Sequence, residues 1–171
     1  ATARGLLAAI GHTGGPLSQR SSADLAAHLG FTIHDAGSMP QSVRSITDLR
    51  NGRIYLPLRS GSGDSGGADD QRMTLLQALA AHVLALPAAT DYAEFLRQRV
   101  ETNYLAAALL VPEDSALAVL QEAKAARALS VEDLRDAFAV SYETAAHRFT
   151  NLATHHLGIP LHFLKVHESG T

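Results

Sequence analysis

Nine histidines are the first side chains in this sequence to consider for metal binding or proton transfer. His155 and His156 are adjacent, so on a helix they point about 100° apart, a poor ligand geometry. Three others have no His or carboxylate partner four residues further along: His12, His28 and His34. His82 falls in an apolar helical segment, where we expect it to be buried. There a lone histidine is more often a core or pocket residue than a metal ligand.

Catalytic motifs are missing from the sequence. It contains no H-E-x-x-H, G-x-S-x-G or Walker phosphate-loop pattern. It also contains no Cys, which excludes disulfides, thiolate metal sites and Cys nucleophiles. The residues by themselves therefore predict no catalytic site and no catalytic cofactor.

Four arginines lie close together with only Asp48 among them: Arg44, Arg50, Arg53 and Arg59. The net charge is −3 overall, but residues 1–60 carry +3 and residues 61–171 carry −6. A short basic strip on an acidic chain disfavours broad nucleic-acid binding and fits a small anionic ligand, since Arg forks bind phosphates well. A solvated strand edge protected by arginines explains the same spacing.

The composition predicts one folded domain over residues 1–171. Apolar residues make up 46% and charged residues 18% of the 171, enough for a core and without a disorder signature. No apolar run approaches ~20 residues and no signal-peptide pattern begins the chain, so we expect a cytoplasmic protein with no membrane partner. The chain starts at Ala1 without Met, which suggests a piece of a longer protein.

Periodicity and capping patterns predict an α+β fold, a predominantly helical array packed on a small antiparallel sheet. Asn51-Gly52 predicts a hairpin, Ser21 with Asp24 a capping box, and the Gly/Ser-rich residues 60–70 a flexible loop. Helices are expected at 2–10, 21–29, 72–86, 92–111, 112–127, 131–138 and 142–156, and strands at 31–33, 43–47, 53–58 and 161–166.

Three segments together resemble the ImmA/IrrE metallopeptidase family: MTLLQALAAH (73–82), RVETNYLAAALLVP (99–112) and LSVEDLRDAFAVSYETAAHRFTNL (129–152). The resemblance covers most of residues 20–165 and implies a peptidase-like fold. It aligns Gln77 and Ala81 with the two zinc-binding histidines, and Ala78 with the general-base Glu. Of the family's site only an acid on the second helix, Glu101, remains. The resemblance thus implies a scaffold without zinc and without peptidase activity.

A narrower group within that family is the closest in pattern, on the segments FLRQRVETNYLAAALLVPE and VSYETAAHRFTNLATHHLGIPLHF. These are actinobacterial short-chain fatty-acid regulators, which control propionate or acetate catabolism through the methylcitrate or glyoxylate cycle. The resemblance implies a domain that senses a short-chain acyl-CoA (acetyl-CoA or propionyl-CoA). It also implies DNA binding through a separate N-terminal Xre-type helix-turn-helix, a Cys-rich C-terminal region and a homo-oligomer.

The expected ligand site combines two sets of residues. The peptidase cleft, without the two histidines and the glutamate of the metal site, would form an apolar wall around the acyl chain. The arginines, with Tyr55 beside them, would bind the CoA phosphates. The wall residues are Ala78, Leu79, Ala81, His82 and Tyr104; the phosphate-binding residues are Arg44, Arg50, Arg53, Arg59 and Tyr55. The alanines would equally serve plain helix packing.

Two other functions stay open at this point. Residues 130–156 have the helix, turn and helix spacing of a helix-turn-helix motif, so this piece could itself bind DNA or a protein partner. However, Tyr142, Glu143, Thr144 and His147 offer little for reading bases, and Arg148 is the only firm cation near the start of the second helix. Core packing explains the same spacing. A residual metallopeptidase would need a metal site that the sequence does not provide.

Overall fold

The structure, a computed structural model, describes residues 2–37, 39–40, 43–57 and 65–164, with no side chains for 65–70. These residues form a mostly helical α+β fold with seven helices and three strands. The elements are α1 (Thr2–Ala9), α2 (Gln19–His28), β1 (Thr32–Ala36), β2 (Ile46–Asp48), β3 (Arg53–Pro57), α3 (Ser65–Val83), α4 (Tyr92–Leu110), α5 (Glu113–Ala125), α6 (Val131–Phe138) and α7 (Tyr142–His156).

The three described strands form a mixed sheet in the order β1-β3-β2. β2 and β3 pair antiparallel as a hairpin, whereas β1 pairs with β3 in parallel, with Thr32 opposite Arg53. The expectation of an antiparallel sheet is therefore wrong for β1. The physical reason lies in β3, whose Ile54 and Leu56 are buried. β3 lies between the other two strands, and β2 on its far side runs opposite to β1, so the hairpin returns β3 parallel to β1.

The β2–β3 turn spans Leu49 to Gly52 and is held by Asp48. Its carboxylate accepts hydrogen bonds from the backbone N–H groups of Arg50 and Asn51, both at 3.1 Å, and from the Asn51 amide at 2.7 Å. Gly52 takes the left-handed conformation, with φ at +61°. The hairpin is confirmed, and Arg53 follows directly from this turn into β3.

N-cap patterns in the sequence correctly predict where most of the helices begin. Asp91 and Ser141 cap α4 and α7 by accepting hydrogen bonds from the backbone N–H groups of Glu94 and Thr144. The capping prediction at Ser21 is wrong, because Ser18 caps α2 and accepts from the N–H of Ser21 at 3.0 Å.

Several boundaries differ from the sequence-based expectation. β1 covers Thr32–Ala36 instead of 31–33, and β2 covers Ile46–Asp48 instead of 43–47. α3 begins at Ser65, so part of the expected 60–70 loop is helical, and it ends at Val83. Residues 161–164 form no strand. The ends of two expected strands, Leu58 and residues 165–166, lie outside the described residues.

α3 is the central element, packed between the sheet and α4. Its Leu76 and Leu79 are fully buried, as is Ile54 of the sheet. None of the described helices is long and apolar enough to cross a membrane alone. α4 and α5 meet those criteria only as a pair, and they are bent by 69°.

Candidate functional site

The positions that align with the peptidase metal site form an ordinary helix–helix contact. Gln77 on α3 donates a hydrogen bond from its amide nitrogen to the amide oxygen of Asn103 on α4, at 2.8 Å. Ala78 is half-buried, whereas Ala81 is exposed. In the described part of the chain, no group of three or more His, Cys, Asp or Glu side chains is placed to hold a metal ion. The Gln77 side chain is thus hydrogen-bonded to another amide at a position that the resemblance aligns with a zinc-binding histidine.

Glu101, the acid that the resemblance retains, does not face Gln77. It precedes Asn103 by two residues, which on an α-helix turns its side chain about 200° away. It is exposed and lines a different surface of α4. A metal site across α3 and α4 would thus lack this carboxylate.

His82 was expected in the core, and this expectation is wrong. The residue is exposed on the last turn of α3. Its ring lies edge-to-face on Phe31, with 4.8 Å between the ring centroids, and so covers a buried aromatic side chain. α3 ends one residue later at Val83, so this turn is at the border of the core.

A cleft of about 690 Å³ opens on the side of α4 where Glu101 lies. Its walls come from α1, from residues 12–14, from α4 and from the start of α5. The apolar lining includes Leu7, Leu84, Val100, Leu105 and Ala108. Of the residues predicted to surround an acyl chain, Tyr104 lines this cleft, but Ala78, Leu79, Ala81 and His82 do not. Leu79 is instead fully buried in the core.

Arg148 is the residue of this cleft that sequence reasoning placed elsewhere. It is only 2% exposed, and its Nε donates to the backbone oxygen of Val111 at 3.0 Å. Its Nη1 lies 3.5 Å from the Tyr104 hydroxyl, and its guanidinium carbon lies 5.5 Å from the centre of that ring. Val111 caps the C-terminus of α4, where a cation is favoured by the helix dipole.

The sequence did contain a signal for this burial. Ala145, Arg148 and Leu152 follow the i, i+3, i+7 spacing of one helical face, and both apolar members are buried. An arginine on the apolar stripe of α7 is thus predicted to lie inside. It is then unavailable to DNA, which favours the packing interpretation of residues 130–156.

The rim of the cleft is rich in carboxylates. Asp114 pairs with Arg4 at 2.6 Å, and both side chains are about two-thirds exposed. Glu113 lies 3.5 Å from the imidazole of His156. With Glu101, three carboxylates line the cleft. Two guanidinium groups, Arg4 and Arg148, line the same cleft, so the three carboxylates exceed the arginines by one charge.

Arg53 lies on the outward face of the sheet, apart from the cleft lining, whereas Arg50 is in the β2–β3 turn and Arg44 precedes β2. Arg53 is exposed, and the neighbouring Tyr55 hydroxyl, with Asp48 nearby, raises the pKa of the guanidinium. The Tyr55 ring stacks at a tilt on His34, with 5.4 Å between the centroids. Arg44 and Arg50 are also exposed, whereas Arg59 lies outside the described residues.

Comparison with known proteins supports a peptidase-like scaffold. Residues 71–150 match the Peptidase_M78 family model, described as an IrrE N-terminal-like domain. A search of curated proteins found no significant match. Among solved structures, a Mycobacterium tuberculosis transcriptional regulator is similar, with a TM-score of 0.64 and 16% identity over 87% of this chain. This chain spans 45% of that regulator's length, and the likeness shows a shared fold.

Proposed function

We propose that this chain is the ligand-sensing module of a transcriptional regulator, built on a peptidase-like scaffold without peptidase activity. The observation that carries the proposal is the hydrogen bond between Gln77 and Asn103 at 2.8 Å. It occupies the position where zinc-binding peptidases need an imidazole, and amides are not zinc ligands of choice. The similar fold of a mycobacterial regulator supports a regulatory role.

The proposed ligand is a short-chain acyl-CoA, as the sequence resemblance implies. Its acyl end would enter the cleft beside Tyr104, where Leu105 and Ala108 supply an apolar wall. Each methylene buried there contributes about 0.8 kcal/mol, so acetyl and propionyl groups would differ only severalfold in affinity.

The CoA phosphates would bind outside this cleft, because Glu101, Glu113 and Asp114 line it. The exposed Arg53 presents a guanidinium beside the Tyr55 hydroxyl. This division assigns the acyl group and the phosphates to two different surfaces.

Ligand binding in the cleft has a direct route to regulation. α1 forms one wall of the cleft and α4 the other, so a ligand between them changes the free energy with which α1 packs on the domain. The DNA-binding domain that the resemblance implies would precede α1. A ligand that binds only the docked state of α1 would then shift the orientation of that domain.

A melting series tests this proposal. Propionyl-CoA, acetyl-CoA, free CoA and a long-chain thioester are added to the wild-type chain, and we expect the short thioesters to raise Tm. Arg53→Ala should reduce the shifts from CoA and propionyl-CoA alike, whereas Arg20→Ala, an exposed arginine of α2, should not.

A matched pair of alanines locates the acyl group. Ala108→Leu fills the cleft and should penalise longer acyl chains selectively, whereas Ala81→Leu adds the same side chain at an exposed position outside the cleft. The absence of any Tm shift with every thioester would refute the proposed function. Equal effects of the two leucine variants would move the acyl group out of the cleft.

A further inference from the structure

Arg148 is a buried cation without a carboxylate partner among the described residues. It is 2% exposed, and its hydrogen bonds run to a backbone oxygen and, at 3.5 Å, to the Tyr104 hydroxyl. Its third nitrogen, Nη2, makes no hydrogen bond to the described part of the chain, and the residue lines the cleft. The N–H groups of Nη2, and the Nη1 N–H that is not directed at Tyr104, therefore have no acceptor in the described part of the chain.

Such an arrangement has an energetic cost. A guanidinium removed from water is stabilised only when a counter-charge or a full set of acceptors replaces the lost hydration. The Tyr104 ring, 5.5 Å from the guanidinium carbon, compensates part of this through its negative face.

The carboxylates of the same cleft do not supply the counter-charge. Asp114 is 67% exposed and bound to Arg4, and Glu113 is 44% exposed beside His156. Glu101 is exposed and makes no ion pair with Arg148.

We infer that the Arg148 wall of the cleft binds a carboxylate carried by a short aliphatic chain. This inference rests on the proposed function, in which the cleft is the ligand site. The guanidinium fork matches the two oxygens of a carboxylate, and one positive charge balances one negative charge. The lining holds three carboxylates and two guanidinium groups, Arg4 and Arg148, so a single negative charge is tolerated better than the two of a phosphate, and the apolar walls fit a chain of a few carbons.

Two sources share this chemistry, a free short-chain acid and an acyl group that ends in a carboxylate. Calorimetry on the wild-type chain separates them with two pairs of ligands, each pair with the same number of carbon atoms. Propionate is compared with propionamide, and succinyl-CoA with butyryl-CoA. Within at least one pair, we expect the carboxylate to bind about 10- to 100-fold more tightly, the range for a charge-assisted hydrogen bond.

The outcomes distinguish the inference from the proposed function. Preference for succinyl-CoA assigns the carboxylate to an acyl group, and preference for propionate alone assigns it to a free acid. If butyryl-CoA binds as tightly as succinyl-CoA and propionate does not bind, the inference is refuted while acyl-CoA sensing stands. If propionate binds over propionamide and no thioester binds, the inference stands and acyl-CoA sensing fails.

Variants test the residue itself. Arg148→Gln should remove the preference for the carboxylate ligand, whereas Arg99→Gln, which removes an exposed arginine of α4 outside the cleft lining, should keep the preference within about twofold. The ligand-free Tm of each variant reports whether it folds. If Arg148→Gln does not fold, Arg148→Lys, which keeps the charge but not the fork, should weaken the preference. A folded Arg148→Gln that keeps the full preference would overturn the assignment.

Discussion

Gly52 connects the hairpin turn to the strand that carries Arg53, and replacing it should destabilise the domain. The residue has φ at +61°, and a Cβ built there would lie 2.5 Å from the backbone oxygen of Gly30. An L-residue in the left-handed conformation costs about 1–2 kcal/mol. The clash is with backbone, so β3 must move away from the end of α2. This movement would lengthen or break the 2.8 Å hydrogen bond from the N–H of Thr32 to the oxygen of Gly52.

Losing that hydrogen bond adds about 0.5–1.5 kcal/mol, so Gly52→Ala should lower the free energy of unfolding by about 1.5–3.5 kcal/mol in all. Gly30→Ala is the matched control, because Gly30 has φ at +84° but nothing within 4 Å of its Cβ position. Gly30→Ala should therefore lower the free energy of unfolding only by the cost of placing an L-residue in the left-handed conformation. Urea unfolding of both variants measures the difference. Equal losses of stability would refute the contact between the turn and Gly30 as the cause.

Two further predictions concern polar contacts. The Asn51 amide holds the pKa of Asp48 below its usual 3.8, so the stability that Asp48 supplies is present above that value and is lost as the pH falls through the lower folded pKa. The stability difference between wild type and Asp48→Asn, measured by urea unfolding, should therefore shrink from pH 6 to pH 3, and a constant difference would contradict this. A double-mutant cycle of Gln77→Leu and Asn103→Leu should give a coupling of about 0.5–1.5 kcal/mol, and additive effects would show that the two amides do not interact.

Helix starts could be predicted from sequence because the signals are local. Asp91 and Ser141 each stand three residues before the N–H that they accept. The error at α2 has the same origin, since Ser18 and Ser21 both carry a hydroxyl and hydrogen-bond to each other at 2.9 Å. Which serine caps the helix depends on where the preceding loop directs the chain, and composition does not encode that.

The site was harder to predict because its parts are distant in sequence. The cleft joins α1 to α4, and no local pattern indicates that these helices pack together. The parallel pairing of β1 with β3 is equally non-local. His82 was misplaced because an apolar helix suggests burial along its whole length, whereas α3 leaves the core in its last turn. The contact of Gln77 with Asn103 needed the structure, although the absence of zinc ligands was already visible in the sequence.

The most direct test of the account is a calorimetric titration of the EDTA-treated chain with propionyl-CoA. A sensor built on a peptidase-like scaffold without its metal site should bind the thioester saturably, at one site per chain, and adding zinc should leave the affinity unchanged. Binding that appears only after zinc is restored, or no binding under either condition, would contradict the account.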